Sequence, residues 1–207
     1  MSTTTTRTEI PVQPVAPAAE RVPVPGAVAG IAERAGLRAV AVGEWPAGEG
    51  DQVPGVAGFI VSSFNPLVVE VAGRALGRVS DSAPLPPGMG EDTAVVVASA
   101  YGDAVSAHVV AAAVDAGQRV GPLMFFQSVP NAVAGYVAAR WGLTGPVVAV
   151  SPADATASLA EGVEAARLLI ADGDATRALV IAVEQGAGGG ADHGLAVLLE
   201  QAREQER

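Results

Sequence analysis

The chain has 207 residues; half of them are hydrophobic and only 4% are aromatic, so Val, Ala and Leu must build the core. The net charge is −10 and all 12 cationic residues are Arg, which excludes the basic surface that nucleic acid or an anionic membrane requires. No Cys is present, which excludes disulfides, thiolate metal ligands and thiol catalysis, and two His are too few for a His-rich zinc site. We therefore expect no metal and no cofactor.

The two ends of the chain differ from the rest in composition. Residues 1–25 are rich in Thr and Pro and lack the long apolar core of a signal peptide, which predicts a disordered tail. Residues 202–207 form a short charged end. No stretch has the ~20 continuous apolar residues of a membrane-spanning helix. We expect one soluble, cytoplasmic domain over residues 26–201.

Between the tails, apolar runs alternate with helical patterns. In chain order the sequence predicts a short helix at 26–36, a strand at 37–45, a helix at 65–78, a strand at 93–100, helices at 103–116 and 129–141, a strand at 146–150, a helix at 156–171, and strands at 178–183 and 193–199. From the first strand onward the order is β-α-β-α-α-β-α-β-β. Such alternation predicts an α/β fold with a mostly parallel sheet covered by helices.

Two of the predicted helices are unusually apolar. The helices at 103–116 and 129–141 carry apolar side chains on nearly every face, and a helix of this kind is normally buried. A single sheet has little capacity to bury such helices on both sides. We therefore expect a second body over them, either another copy of the chain or a different subunit.

The junction at residues 147–159, VVAVSPADATASL, is the main candidate site. A sharp strand-to-helix turn of this kind often lifts a nucleophile beside free backbone N–H donors. The candidate position holds Asp154. The sequence leaves several roles open: a catalytic carboxylate, a helix cap formed by Asp154 or Thr156, the relic of a lost nucleophile or, as a further hypothesis, a carboxylate that blocks or charges a vestigial acyl pocket. A cap or relic is favoured because no base is evident beside Asp154, and an Asp at a helix start binds free N–H groups.

Other residue types that could carry chemistry give weaker patterns. A Ser-His-Asp hydrolase built from Ser151 or Ser158 with His108 or His193 has no Gly-x-Ser-x-Gly elbow, and Ser151 precedes a Pro. The Gly-rich stretch 186–192 stands between two strands rather than before a helix, which indicates a turn and not a phosphate-binding loop.

Four segments in sequence order resemble the N-terminal half of β-ketoacyl synthases, which have the thiolase fold. They are VVVASAYGD (95–103), FFQSVPNAVAGYVAARWGLTGPVVAVS (125–151), EAARLLIADGDATRALVIAVEQ (164–185) and HGLAVLLE (193–200). The resemblance covers about residues 93–200 and is weaker at 38–78. It implies a half-thiolase fold with a five-stranded mixed sheet flanked by helices.

The chain also departs from the family's pattern at the positions of its catalytic residues. Active synthases have a Cys where this chain has Asp154, and their two decarboxylating histidines belong to a C-terminal half that matches nothing here. Chain-length-factor-type relatives also replace that Cys, usually with Gln. In the family, the equivalents of 125–151 lie at a subunit interface. We therefore expect Phe125, Phe126, Asn131 and Tyr136, with Asp154, to be the candidates for a partner interface or an acyl pocket.

These observations favour a non-catalytic, chain-length-factor-like subunit that pairs with an active ketosynthase in polyketide or fatty-acid-type biosynthesis, as a heterodimer or with itself as a homodimer. Acyl carrier protein would be an indirect partner. The first alternative is a small acyl-thioester hydrolase or decarboxylase using Asp154. The second is a self-dimerising structural remnant that binds acyl carrier protein directly. The net charge of −10 disfavours the second, because carrier proteins are acidic and dock on basic patches.

Overall fold

A computed structural model describes residues 25–186 and 191–202 of the chain. The predictions for the N-terminal tail up to residue 24, for the charged end from residue 203 and for the centre of the 186–192 turn lie outside these residues. The strands are β1 Leu37–Trp45, β2 Thr93–Ala98, β3 Val147–Val150, β4 Arg177–Glu184 and β5 His193–Gln201. The helices are α1 Gly26–Arg34, α2 Phe64–Leu76, α3 Ala104–Asp115, α4 Pro122–Gln127, α5 Pro130–Trp141 and α6 Ser158–Ala171, with a 3₁₀ turn at Ala155–Ala157.

The five strands form one mixed sheet in the order β1-β5-β4-β2-β3. β2 runs parallel to both β3 and β4, while β5 runs antiparallel to β4 and β1. Four strands therefore point the same way and β5 alone is reversed. The predicted α/β fold with a five-stranded mixed sheet is confirmed, and β2 is buried along its whole length, as a continuous apolar run in a parallel sheet requires.

Helices cover both faces of the sheet. α2 and α5 pack on one face, and α1 and α6 pack on the other, each pair over its own apolar cluster. α6 approaches the sheet closely at Gly162, where a Cβ atom would lie 2.7 Å from Val180 Cγ1 and 3.2 Å from Ala98 Cβ. This close approach brings the first turn of α6 against the ends of β2 and β4.

The element order follows the prediction with one addition. α4 was not among the predicted elements; it begins with a Pro in its first turn, after Gly121. Of the two helices expected to be buried all round, α5 buries one side against the core through Val133, Val137 and Trp141. α3 behaves differently, because only Ser106 of its twelve residues is buried.

None of the helices in the described part of the chain has both the length and the apolar character that crossing a membrane requires.

Candidate functional site

The strand-to-helix turn after β3 lies at the edge of the sheet where the parallel strands end. β3 stops at Val150, Ser151 and Pro152 turn the chain, and the 3₁₀ turn leads into α6. The same edge receives the residues that follow β2 and the last residue of β4. In parallel sheets such carboxyl ends gather side chains from distant parts of the sequence.

Asp154 is the N-cap of the 3₁₀ turn. Its exposed carboxylate accepts hydrogen bonds from Thr156 N at 2.9 Å, from Ala157 N at 3.2 Å and from Thr156 Oγ1 at 2.5 Å. These bonds, led by that of the Thr156 hydroxyl, hold the pKa of the Asp154 carboxyl below its ordinary value of 3.8. One Asp154 oxygen, Oδ1, thus accepts all three bonds, in the geometry of the predicted cap.

Glu184 is the buried centre of this edge. It is 3% exposed, and its carboxylate accepts four hydrogen bonds from two segments of the chain, residues 99–101 and Ser158. The donors are Ala100 N at 2.6 Å, Ser158 Oγ at 2.7 Å, Ser99 Oγ at 3.1 Å and Tyr101 N at 3.4 Å. A buried carboxylate is stable without a cation when several donors surround it. Glu184 therefore ties the end of β2 to the start of α6.

An open depression of about 280 Å³ lies beside the turn. Ser158 and Thr156 contribute hydroxyl groups to its wall, Glu184 contributes its carboxylate, and His193 comes from the start of β5. His193 stands opposite Glu184 in the β4–β5 register. Asp154 is not among the residues that line it.

The residues of the depression are not arranged as a Ser-His-acid triad. The hydroxyl of Ser158 donates to the carboxylate of Glu184 and not to an imidazole, and a carboxylate is a weak base for activating a serine at neutral pH. The hydroxyl of Ser151 donates to Ser99 O at 3.5 Å, and His108 lies on the exposed helix α3. In the described parts of the chain, no three metal-ligating side chains lie close enough together to hold a metal ion.

A second feature is apolar. Large hydrophobic side chains are exposed on the segment 56–61, on α3 with the turn before it, and on α4. We call these three neighbouring elements the apolar face. Its exposed members are Ile60, Tyr101, Val105, Val109, Val114, Leu123, Phe125 and Phe126. Of the large hydrophobic side chains exposed in residues 25–186 and 191–202, two lie outside the apolar face: Val147 and Leu168. An apolar surface concentrated in this way is typical of a binding site for another protein.

The candidate interface residues divide between the surface and the core. Phe125 is 72% exposed and Phe126 is 50% exposed, while Asn131 is exposed on α5. Tyr136 is half-buried and meets the buried Phe59 edge to face, with ring centroids 6.0 Å apart. Phe126 stacks on the same Phe59 ring, also with centroids 6.0 Å apart. The aromatic residues therefore form a row from the core to the surface.

Sequence reasoning missed three contributors to these sites. Glu184 was noted only as the end of a family-like segment, and its donors are distant in sequence. The segment around Ile60, which is 77% exposed, lies between predicted elements and was assigned no role. Gln127 is buried and joins that segment to α4 through hydrogen bonds. The one available signal was local: an apolar Phe-Ile-Val run, 59–61, inside a stretch without any charge.

A doubly covered five-stranded mixed sheet, with a strand-to-helix turn at its carboxyl edge, defines a thiolase-like α/β protein. The chain belongs to the β-ketoacyl synthase family: the model of the family "Beta-ketoacyl synthase, N-terminal domain" matches residues 62–194. The predicted resemblance to the N-terminal half of these enzymes is confirmed. A comparison with curated protein sequences gave no match.

Solved structures share the fold. A ketosynthase in complex with its chain length factor from Xenorhabdus doucetiae matches with a TM-score of 0.61 and 17% identity, over 80% of this chain and 79% of that chain. The ishigamide ketosynthase/chain length factor matches with a TM-score of 0.58 and 20% identity, over 77% of this chain and 50% of that one. A β-ketoacyl synthase from Burkholderia phymatum gives 0.57 and 16%, over 74% and 47%. The chain therefore spans about half the length of the last two, and a length similar to the first.

Proposed function

We propose that this chain is a non-catalytic, chain-length-factor-like subunit that pairs with an active ketosynthase in polyketide or fatty-acid-type biosynthesis. The observation that carries the proposal is the turn after β3. It has the place of a nucleophile turn, yet the chain has no Cys and the carboxylate of Asp154 is engaged by three donors as a cap. Two of the similar solved structures are named for a ketosynthase with a chain length factor, which supports the same assignment.

The proposed division of labour follows from what each subunit has. The ketosynthase would supply the Cys and His for condensation, while this chain would supply apolar surface that stabilises its partner and shapes the space for the growing acyl chain. Phe125 and Phe126 are the best candidates for that contact, because they are exposed aromatic side chains on a short, fixed helix. Acyl carrier protein would dock on the ketosynthase.

The partner would be a ketosynthase rather than a second copy of this chain. A homodimer would hold two turns without a nucleophile. A heterodimer with an active subunit would have one turn that carries the Cys.

Co-expression with a Cys-containing ketosynthase from the same genome tests the proposal. We expect the two proteins to co-purify, the complex to condense acyl thioesters, and the isolated chain to neither condense nor hydrolyse them. Hydrolysis by the isolated chain that disappears in Asp154→Ala would instead establish the hydrolase alternative. Failure of the wild-type chain to bind the ketosynthase would contradict the subunit assignment.

A matched pair of surface variants tests the apolar face. Phe125→Ser changes an exposed side chain on α4, and Leu168→Ser changes one on α6, which is 47% exposed on the opposite side of the sheet. We expect Phe125→Ser to weaken ketosynthase binding by about tenfold or more, as for an aromatic anchor, and Leu168→Ser to leave it unchanged. Equal affinities for the two variants in a binding titration would show that the partner docks elsewhere.

A further inference from the structure

Two stretches of this acidic chain carry no charged side chain at all. They are residues 52–69 and 120–139. The first contains the segment 56–61 and the start of α2, and the second contains α4 and most of α5. Contacts between Phe59 and Phe126 bring the two stretches together in the fold. The uncharged stretches therefore meet at the apolar face, where another protein can approach without repulsion from the net charge of −10.

The segment 56–61 is anchored in the core at Phe59, which is 4% exposed and contacts Phe126 and Tyr136. A turn closed by Phe59 N donating to Val56 O at 3.0 Å contains Gly58 with φ of +90°, as a type II turn requires. The next residue, Ile60, is 77% exposed, so burial of its own side chain cannot fix its backbone. Beyond Phe59 the order of the segment therefore depends on groups that bind its backbone.

The side chain of Gln127 provides those bonds. It is 2% exposed at the end of α4. Its Oε1 accepts from Ile60 N at 2.9 Å and from Val61 N at 3.3 Å, and its Nε2 donates to Leu123 O at 3.3 Å. One buried amide therefore joins two consecutive backbone N–H groups of the segment to the first turn of α4.

The backbone of Gln127 is held as well. Asn65, itself 2% exposed at the start of α2, donates from Nδ2 to Gln127 O at 2.9 Å and to Asp103 Oδ2 at 3.4 Å. Asp103 in turn caps α3 by accepting from Ser106 N at 2.9 Å. The starts of α2 and α3 and the end of α4 thus share one buried polar connection. All three elements of the apolar face depend on it.

We propose that Gln127 is a positioning residue for partner binding: its side-chain amide fixes Ile60 beside Phe125 and Phe126, so that the apolar face meets the ketosynthase already ordered. The inference rests on the proposed function, since the ketosynthase is the partner to which it commits. An ordered surface binds more tightly than a flexible one because the entropy of ordering is lost during folding and not on association. Phe125 and Phe126 make the contact, and Gln127 acts through Ile60.

Two substitutions separate the role of Gln127 Oε1 as a hydrogen-bond acceptor from the role of Nε2 as a donor. Gln127→Met keeps the length of the side chain but leaves Ile60 N and Val61 N without their acceptor. Gln127→Glu keeps an acceptor for both N–H groups, loses the donor to Leu123 O and adds a carboxyl group at a buried site, which lowers stability. We expect both variants to be less stable than wild type, but only Gln127→Met to weaken ketosynthase binding, by about tenfold. Val163→Ala, which creates a cavity in the apolar cluster below α6, is the control. We expect it to lower the stability of the chain and to leave ketosynthase binding unchanged.

Hydrogen exchange in the free chain gives a readout that needs no partner. In Gln127→Met the amides of Ile60 and Val61 should exchange about ten times faster or more than in wild type, while the amides of β2 exchange as in wild type after correction for global stability. Unchanged exchange at Ile60 and Val61 would overturn the inference.

The binding data distinguish the inference from the proposed function. If wild type does not bind the ketosynthase, or Phe125→Ser binds as wild type does, the proposed function or its docking face fails. If Phe125→Ser loses binding while Gln127→Met binds no more weakly than Val163→Ala, the face is correct and the positioning role of Gln127 is wrong. Loss of binding in Gln127→Glu equal to that in Gln127→Met would also contradict the role of the acceptor.

Discussion

At the ends of β2, β3 and β4 the carboxylates bond to donors within the chain, whereas α3 and α4 expose large apolar side chains. The carboxylate of Glu184 accepts from four donors, and that of Asp154 from three. By contrast, Phe125 is 72% and Val114 62% exposed. The two carboxylates of this edge are satisfied by the chain itself, and the apolar face is incomplete in its packing.

This difference shows which region of the molecule is available for function. A catalytic group needs a free nucleophile or base, and at the turn these groups are occupied by structural hydrogen bonds. A docking surface needs apolar area whose burial on association is favourable, and the apolar face offers it. Under the proposed function, the fold serves here as a frame that presents the apolar face to a partner.

Removal of the Glu184 carboxylate should have the largest effect at the edge of the sheet. Glu184→Ala would leave Ala100 N, Tyr101 N and the hydroxyls of Ser99 and Ser158 without their acceptor in a buried place. We expect the free energy of unfolding to fall by about 3 kcal/mol or more. Denaturant titration measures it, with Glu164→Ala, an exposed carboxylate on α6, as the control. A loss below about 1 kcal/mol would show that water replaces the carboxylate and that the edge is not closed.

Matched Val→Ala substitutions compare the two regions directly. Val163 on α6 is 2% exposed and Val109 on α3 is 42% exposed. For the isolated chain we expect Val163→Ala to lower the free energy of unfolding by about 2 kcal/mol, through lost burial and a cavity. Val109→Ala should change it by less than about 0.5 kcal/mol. Denaturant titration of both variants at low protein concentration measures these free energies. Equal losses of unfolding free energy in the two variants would mean that another surface already covers α3 in the isolated protein.

The sequence predicted the parts of this structure that depend on local patterns. Continuous Val-rich runs identified β2 and β3 and, with the alternating helices, an α/β fold with a mostly parallel sheet, while the resemblance to β-ketoacyl synthases implied the five-stranded mixed sheet. The cap at Asp154 was predictable because its donors, Thr156 and Ala157, follow two and three residues later. α4 escaped prediction because its six residues are too few to show a helical period.

The features that the sequence did not predict depend on contacts between residues that are far apart along the chain. Ser99 and Ser158 lie 85 and 26 residues from the carboxylate they share on Glu184. Ile60 and Gln127 are 67 residues apart. No periodicity or spacing links such residues, since the sheet order and the close packing of the helices bring them together. The sequence could name the nucleophile turn and the aromatic residues, but not the groups that hold either in place.

Loss of the Asp154 cap should be the smallest of these effects and should depend on pH. The pKa of Asp154 in the folded chain lies below its ordinary value of 3.8, chiefly because of the Thr156 hydroxyl. The folded state therefore holds the proton less tightly than the unfolded state. The stabilisation is full above the ordinary pKa and is lost as the pH falls through the lowered one. Asp154→Ala should thus be slightly less stable than wild type at pH 7, and the difference should shrink below about pH 4.

Thermal denaturation of Asp154→Ala between pH 7 and pH 3 measures this difference, with Asp174→Ala as a control that removes an exposed carboxylate outside any cap. The same variant, bound to the ketosynthase, distinguishes a cap from a carboxylate that blocks an acyl pocket. A cap affects stability alone, because its oxygens face the N–H groups of the 3₁₀ turn. A blocking carboxylate would be expected to limit the acyl chain, so longer products from the Asp154→Ala complex would place Asp154 in the path of that chain.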